Sequence, residues 1–423
     1  MQQLNLFTEI DRDKITLDLF QAYFDARKNK RNTINALAFE KHLEANLFAL
    51  ASEIIERRYT PKPSICFIVD KPVKREIFAA DFRDRVIHHF IYNYISPIFE
   101  KSFINDSYSC RKGKGTHYGI KRIDHFIRSC SQNYSKDCYI LKLDIKGYFM
   151  SMNKTLLHQK VKNVLIRNKD KLNFDLELIL YLLEKTIFND PKENCIIKGK
   201  KEDWEGLPQT KSLFHAQPNC GLPIGNLTSQ LFGNIYMNDF DHWVKKELGI
   251  KYYGRYVDDF ILIHENKNFL QSIIPKLSAF LLSTLSLTLH PDKIYLQHYS
   301  KGVKYLGAVI KPHKTYIANR TKGNFYNAIE KQNQIARDHS PRGINKSNFI
   351  NSQTQIIQRG KPTKEEQQAF QSSMNSYLGI MKHYKTYKLR KEMVLKNLSA
   401  WWWNYVYLSG GICKFEMKTK TVK

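Results

Sequence analysis

Apolar residues recur at spacings of three and four through Ile15, Leu19, Tyr23 and Ala26, and again through Phe39, Leu43, Leu47, Leu50 and Ile54. This pattern predicts two amphipathic helices joined by the basic link that follows Arg27. Pro61-KP then marks an extended entry to a body with a different rhythm. Cys138-YILKLDIKGYF is a buried strand with Asp144 towards its end, followed by Gly147 and two aromatics. In Arg255-YVDDFILI two short runs of β-branched and aromatic residues flank Asp258 and Asp259, which predicts a hairpin with the acids at its tip. Residues 189–220 are rich in Pro, Gly, Asn and Lys and too long for a plain connection. The stretch reads as an insertion that contacts RNA or a partner, or as a solvated ornament. Beyond Pro312 the pattern turns helical, polar and basic, with a mobile link expected from Asp338 to Pro362. Phe370, Met374, Leu378 and Met381 mark a helix face there.

Charge gives these elements a chemistry. An Asp-Asp pair in a hairpin also suits a solvated turn, and Asp144 alone suits a cap. Taken together, three aspartates on two strand ends suit two divalent cations about 3.5–4 Å apart, the clamp for an in-line phosphoryl displacement. Hard oxygen ligands select Mg²⁺, with Mn²⁺ as the substitute. The net charge of +27 calls for a polyanionic partner, because so much self-repulsion destabilises a compact chain. Nucleic acid is the first reading and a membrane surface the second. No apolar run approaches 18 residues, and Met1-QQLNLFTEIDRDK lacks the basic and apolar regions of a leader, so a cytoplasmic protein without a membrane association is expected. Seven scattered cysteines without a C-x-x-C pair predict reduced thiols rather than zinc or disulfides. His88 and His89 read as packing or RNA-facing residues rather than ligands.

The order of motifs resembles that of the reverse transcriptase palm. Lys71-PVKREIFAADFRDRVIHH, Ser107-YSCRKGKGTHYGI, LKLDIKGYF, Gly221-LPIGNLTSQ, YVDD, Leu287-TLHPDKIYL and Lys304-YLGAVI follow one another over roughly residues 60 to 312. Within that class, I-G-x-x-x-S-Q in the Gly221 motif departs from the Q-G-x-x-x-S-P of group II intron and retroviral enzymes. It looks like the reverse transcriptases of diversity-generating retroelements.

The resemblance implies an α+β right-hand polymerase: an N-terminal helical extension over 1–60, fingers and a ferredoxin-like palm over 61–312, and a helical basic thumb over 313–423. It makes Asp144 and Asp258 the ligands bridging both metals, Asp259 the third carboxylate, and the Ile145 carbonyl a further ligand. Lys293 matches a lysine that protonates the pyrophosphate leaving group. Lys74 and Arg75 match finger residues that clamp the incoming deoxynucleoside triphosphate, and Arg83 and Arg85 serve the triphosphate or the template backbone. Phe149 stands where the family places an aromatic under the sugar, excluding a 2′-hydroxyl. Gly225 lets the backbone approach the nascent base pair, and Gln230 offers donor and acceptor. Ile224 replaces a nucleotide-contacting glutamine, which loosens base selection. Arg111 and Lys112 are expected against nucleic acid, and Gly307 lies in the counterpart of the primer grip. Tyr377, Tyr384 and Tyr387 interleave with Lys382, Lys385, Lys388, Arg390, Lys391 and Lys396 in one helix that would stack bases and follow phosphates. Trp401-Trp402-Trp403 reads as core or a protein interface.

The expected function is synthesis of mutagenised cDNA on a template RNA, with a small basic accessory variability determinant protein as partner. The alternatives are a reverse transcriptase of anti-phage defence, or a catalytically silent RNA-binding scaffold.

Overall fold

The first two amphipathic patterns form three helices in the computed structural model, which describes residues 11–28, 33–70, 73–339 and 360–418. The first ten residues, Lys71-Pro72, and most of the links after Arg27 and after Asp338 lie outside the described residues. The Asp11 carboxylate caps α1 (Arg12–Arg27) by accepting from the Lys14 amide at 2.8 Å, and the helix buries Ile15, Leu19, Tyr23 and Ala26. The second pattern breaks at Lys41 and His42 into α2 (Ile34–Glu40) and α3 (Leu43–Ile55). Asn46 donates to the Phe39 carbonyl at 2.8 Å across this corner, so the apolar spacing survives the break. All three helices share their core with the body that follows, α1 packing along α4 (Phe82–Glu100).

Before α4 come β1 (Ile65–Val69) and β2 (Arg75–Ala79), an antiparallel pair with Val69 opposite Arg75. After it come α5 (Thr116–Cys130), β3 (Tyr139–Lys146), α6 (Lys154–Arg167) and α7 (Leu176–Ile187). The stretch 189–220 is folded onto the protein: β4 (Ile196–Ile197) extends the β1–β2 sheet by pairing in parallel with β1. Then follow α8 (Leu227–Lys246), β5 (Tyr252–Tyr256), β6 (Asp259–His264), α9 (Lys267–Leu285), β7 (Thr288–Leu289) and β8 (Tyr295–His298).

The central sheet runs β5-β6-β3, with β7 and β8 both pairing with the far side of β3, and every pairing is antiparallel. Chain order against spatial order is the ferredoxin-like arrangement expected. Ile140, Leu141, Leu143 and Ile145 are buried, so β3 is held from both faces. Lys142 and Asp144 are two apart and project to one side.

Residues 299–423 form a second compact unit. β9 (Val303–Tyr305), β10 (Ala308–Lys311) and β11 (Lys314–Ile317) make a meander, with Leu306 and Gly307 both at positive φ in the turn before β10. Next come α10 (Asn319–Asp338), α11 (Lys364–Met381), α12 (Tyr387–Asn397) and the hairpin β12 (Val406–Ser409) with β13 (Lys414–Met417). Phe370, Met374, Leu378 and Met381 are fully buried, as the face they mark requires. Trp401 and Trp402 belong to the same core, Trp402 donating its ring N–H to the Gln332 carbonyl at 2.8 Å. The single helix expected over residues 377–396 is two: α11 ends at Met381, and the Thr386 hydroxyl closes the corner by donating to the Met381 carbonyl at 2.6 Å.

Candidate active site

Strand register brings the three acids together. Asp144 on β3 lies directly opposite Asp259 on β6, and the Ile145 amide donates to the Asp258 carbonyl at 3.1 Å. Val257 and Asp258 form the two-residue turn between β5 and β6, with Val257 at φ 57°. A β-branched residue there costs roughly 1–3 kcal/mol and persists only when its surroundings fix it. Arg255 does so: fully buried, it donates to the Val257 carbonyl at 3.0 Å and to both Asp241 oxygens at 2.8 and 2.7 Å. Burial would lower its pKa, but the Asp241 carboxylate more than reverses this and holds it fully charged. Tyr108 lies on Gly254 so closely that no side chain fits there.

Two lysines meet these acids. Lys293 Nζ donates to Asp144 Oδ1 at 2.8 Å, and the β7–β8 turn that carries it is tied to β3 by the His290 amide on the Asp144 carbonyl at 2.8 Å. Lys142 Nζ stands 3.0 Å from Asp259 Oδ1. Burial pushes the Asp259 carboxyl up to about 7 against the pull of Lys142. Burial, reinforced by the charge of Asp144, also raises Asp258. Among the described residues no three His, Cys, Asp or Glu side chains converge into a metal cage of their own. The charge of Asp144 helps to raise Asp258, and both help to raise Asp259; carboxylates this close fit a hard divalent cation, and Mg²⁺ completes its shell with water and phosphate oxygens rather than an all-protein cage.

The aromatic pair after Gly147 faces the Gly221 motif. Tyr148 is buried and donates to the Gly233 carbonyl at 2.8 Å; a Cβ at Gly233 would stand 3.4 Å from the Phe149 ring. Phe149 is half-buried, its carbonyl accepting from the Leu222 amide at 2.9 Å. Phe149 and Ile224 pack on one apolar cluster with Cys66, Phe78 and Met150. Gly225, at φ +128°, permits a different approach from the one expected: a Cβ would lie 3.0 Å from Ile77 and from the Phe78 carbonyl, so the glycine seats the motif on β2. Gln230 is exposed on α8. His88, pushed down to about 3 by burial and so neutral, sits 2.7 Å from the Thr228 hydroxyl and ties α4 to α8.

The cations divide into two kinds. Arg75 is exposed at the start of β2, and its charge reaches Asp258 and Tyr256. Lys74 donates to the Glu205 carbonyl at 2.7 Å. Arg85 donates to the Ala80 carbonyl at 2.9 Å. Arg83 is a correction: it is buried against Glu53, the Thr60 carbonyl and the Tyr59 ring, and serves the junction with α3. Arg111 is another, for its guanidinium bonds Glu100 and the carbonyls of Ile104 and Ser107 at 2.7–3.0 Å. Lys112 beside it is exposed. In the second unit Lys382, Lys385 and Lys388 are exposed and Tyr384 is half-buried. Arg390 is buried on the Ile412 carbonyl and Cys413, which removes it from any nucleic-acid surface. Sequence reading missed Arg255, Asp241 and Lys142. The signal for the last was present, since a lysine in an apolar strand two residues from Asp144 shares its face.

This fold and site are those of a right-hand nucleic acid polymerase. The reverse transcriptase (RNA-dependent DNA polymerase) family model matches residues 61–310, more than half of the chain, and the chain belongs to that family. Its enzyme class is RNA-directed DNA polymerase. It is 24% identical over 308 residues to Protein YkfC of Escherichia coli (strain K12), which covers 65% of this chain and 73% of that protein. It is 28% identical over 183 residues to a methionine aminopeptidase of Mycoplasmoides gallisepticum (strain R(low / passage 15 / clone 2)), covering 41% of this chain and 67% of that one. Apo telomerase from Candida tropicalis aligns with a TM-score of 0.45 at 13% identity, over 83% of this chain and 64% of that one. The chain thus spans less than two thirds of that telomerase chain.

Proposed function

We propose that the chain is the polymerase of a diversity-generating retroelement, copying a template RNA into mutagenised cDNA in the cytoplasm with a small basic accessory protein. Ile224 carries the reading. Its side chain packs against the same apolar cluster as Phe149, which supports a site where hydrocarbon stands in place of the amide that would interrogate the nascent base pair. A site that hydrogen-bonds the right partner discriminates because a wrong one leaves a buried group unpaired; isoleucine applies no such penalty.

Two Mg²⁺ ions, or Mn²⁺, held by Asp144, Asp258 and the Ile145 carbonyl with Asp259 nearby, would supply the charge stabilisation of an in-line displacement. Arg75 and Lys74 hold the triphosphate. Phe149 bars a 2′-hydroxyl. Lys293, already beside Asp144, donates a proton to the departing pyrophosphate. Gly307, Lys382, Tyr384, Lys385 and Lys388 follow the primer and template, and Lys112 adds a contact.

The test is sequencing of cDNA made on a fixed RNA template with balanced deoxynucleotides. Misincorporation concentrated at template adenines, lowered by Ile224→Gln, is the expected result. Uniformly accurate copying by the native enzyme would overturn the retroelement reading and favour a role in anti-phage defence.

A further inference from the structure

The insertion between α7 and α8 is fastened to both sides of the nucleotide site. On the finger side, Lys74 Nζ donates to the Glu205 carbonyl at 2.7 Å. Glu76, the residue after Arg75 on β2, is 1% exposed, and its carboxylate accepts from the Ser212 hydroxyl at 2.7 Å and the Leu213 amide at 3.2 Å. Burial pushes the Glu76 carboxyl up while these donors pull it down. A charged group taken out of water is a cost to the fold, and here its partners come from the insertion alone among the hydrogen bonds it accepts.

On the palm side, the Thr210 carbonyl lies 3.1 Å from where a Cβ on Gly147 would stand, and Gly147 is at φ +59°. Leu213 and Ala216 close over Gly221 in the same way, leaving it no room for a side chain. Gly147 is three residues past Asp144 and two before Phe149. The single turn Gln209–Lys211 therefore stands between β2, which begins at Arg75 just after Lys74, and the strand end that carries the first aspartate. All three of its residues are exposed.

We infer that this turn is a wall of the incoming-nucleotide site, with Lys211 a phosphate-binding cation beside Lys74 and Arg75, and Glu76 the positioning residue that holds the turn in place. The inference rests on the polymerase reading of the Asp144–Asp258 site. A lysine suits the role, since its flexible stem carries a point charge that can follow phosphate oxygens through the reaction. The pairing of a buried anchor with an exposed tip also explains why a long insertion is packed here rather than left solvated.

The experiment uses the full chain with an RNA template, a DNA primer and a titration of deoxynucleoside triphosphates in Mg²⁺. Lys211→Ala should raise KM for the nucleotide about five- to tenfold, as expected for loss of a charge-assisted contact, with kcat and primer–template affinity changed less than about twofold. Lys211→Arg should recover most of the loss. Lys201→Ala, an exposed charge elsewhere in the insertion, should leave KM unchanged. Glu76→Gln keeps an acceptor for Ser212 and should shift KM in the same direction by less. A primer ending in a dideoxynucleotide adds a readout without chemistry: the next nucleotide should stabilise the native enzyme–primer–template complex, and Lys211→Ala should need more of it. If the native enzyme polymerises but Lys211→Ala has a native KM, this inference falls and the polymerase reading stands. A loss of primer–template affinity at unchanged KM would overturn it too, by placing the turn on nucleic acid. If the native enzyme neither incorporates nor binds nucleotide in the ternary complex, both fall.

Discussion

The acids of the palm and the basic stretch from Lys382 to Lys396 are both clusters of charge, and the fold treats them in opposite ways. The carboxylates of Asp144, Asp258 and Asp259 are largely withdrawn from water and held by strand register: Lys142 stands at 3.0 Å, the exposed Lys293 reaches in to 2.8 Å, and Arg255 is locked on Asp241 behind them. Along α12 and the corner before it, Lys382, Lys385 and Lys388 are exposed, and only Arg390 turns inward. Where tertiary structure fixes a charge, removing it is costly and specific. Where solvent surrounds it, neighbours substitute for one another and salt weakens all of them.

That contrast is broken most directly at the acids. Asp144→Asn and, separately, Asp258→Asn should lower incorporation of labelled deoxynucleotide about a thousandfold or more while leaving RNA affinity within about twofold. Residual synthesis of a few percent in either variant would remove that residue from the catalytic centre. The next largest effect concerns the buried support. Arg255→Met leaves Asp241 without its counter-ion and should destabilise the protein by about 3–5 kcal/mol, read from denaturant unfolding; a change under 1 kcal/mol would mean that the pair does not hold the hairpin.

Phe149→Val tests whether shape alone decides at the sugar. Ribonucleotide incorporation relative to deoxyribonucleotide should rise about tenfold, and an unchanged ratio in a folded, active variant would place the gate elsewhere. The smallest effects belong to the exposed cluster. Changing Lys382, Lys385 and Lys388 together to Ala should flatten the dependence of log affinity on log salt by about two units, since each single-strand phosphate contact contributes roughly 0.7. Arg390→Ala should leave that slope alone and instead cost about 1–3 kcal/mol of stability, because it removes a buried side chain and leaves the half-buried acceptors on Ile412 and Cys413 without their donor. A slope that moved with Arg390 and not with the lysines would reverse the comparison.

The strands that carry the three acids were legible because their signals are local. A short apolar run such as Tyr139–Lys146, followed at once by Gly147, reads as a strand whose period places Lys142 and Asp144 on one face, and a two-residue interval between two such runs reads as a tight turn. Apolar periods in the helices were legible too, although the period does not register a corner such as the one at Lys41 and His42, where the buried face continues across the break.

Cations were the least legible part of the site. Arg75, Arg83, Arg85, Arg111 and Arg390 look equivalent along the chain, yet a guanidinium is as well satisfied by backbone carbonyls and a buried carboxylate as by a phosphate. Which of these it meets depends on residues far away in sequence, such as Glu53 for Arg83 and Ile412 for Arg390. The same holds for the insertion, whose composition says surface loop and whose Ser212 and Leu213 end on a buried Glu76 more than 130 positions earlier. Sequence by itself determined the elements, the acids and the order of motifs, because those follow from side-chain period and neighbour spacing. Only the tertiary structure decided which charges stay exposed and which hold the frame, because a charge takes whichever partner the packed chain leaves within reach.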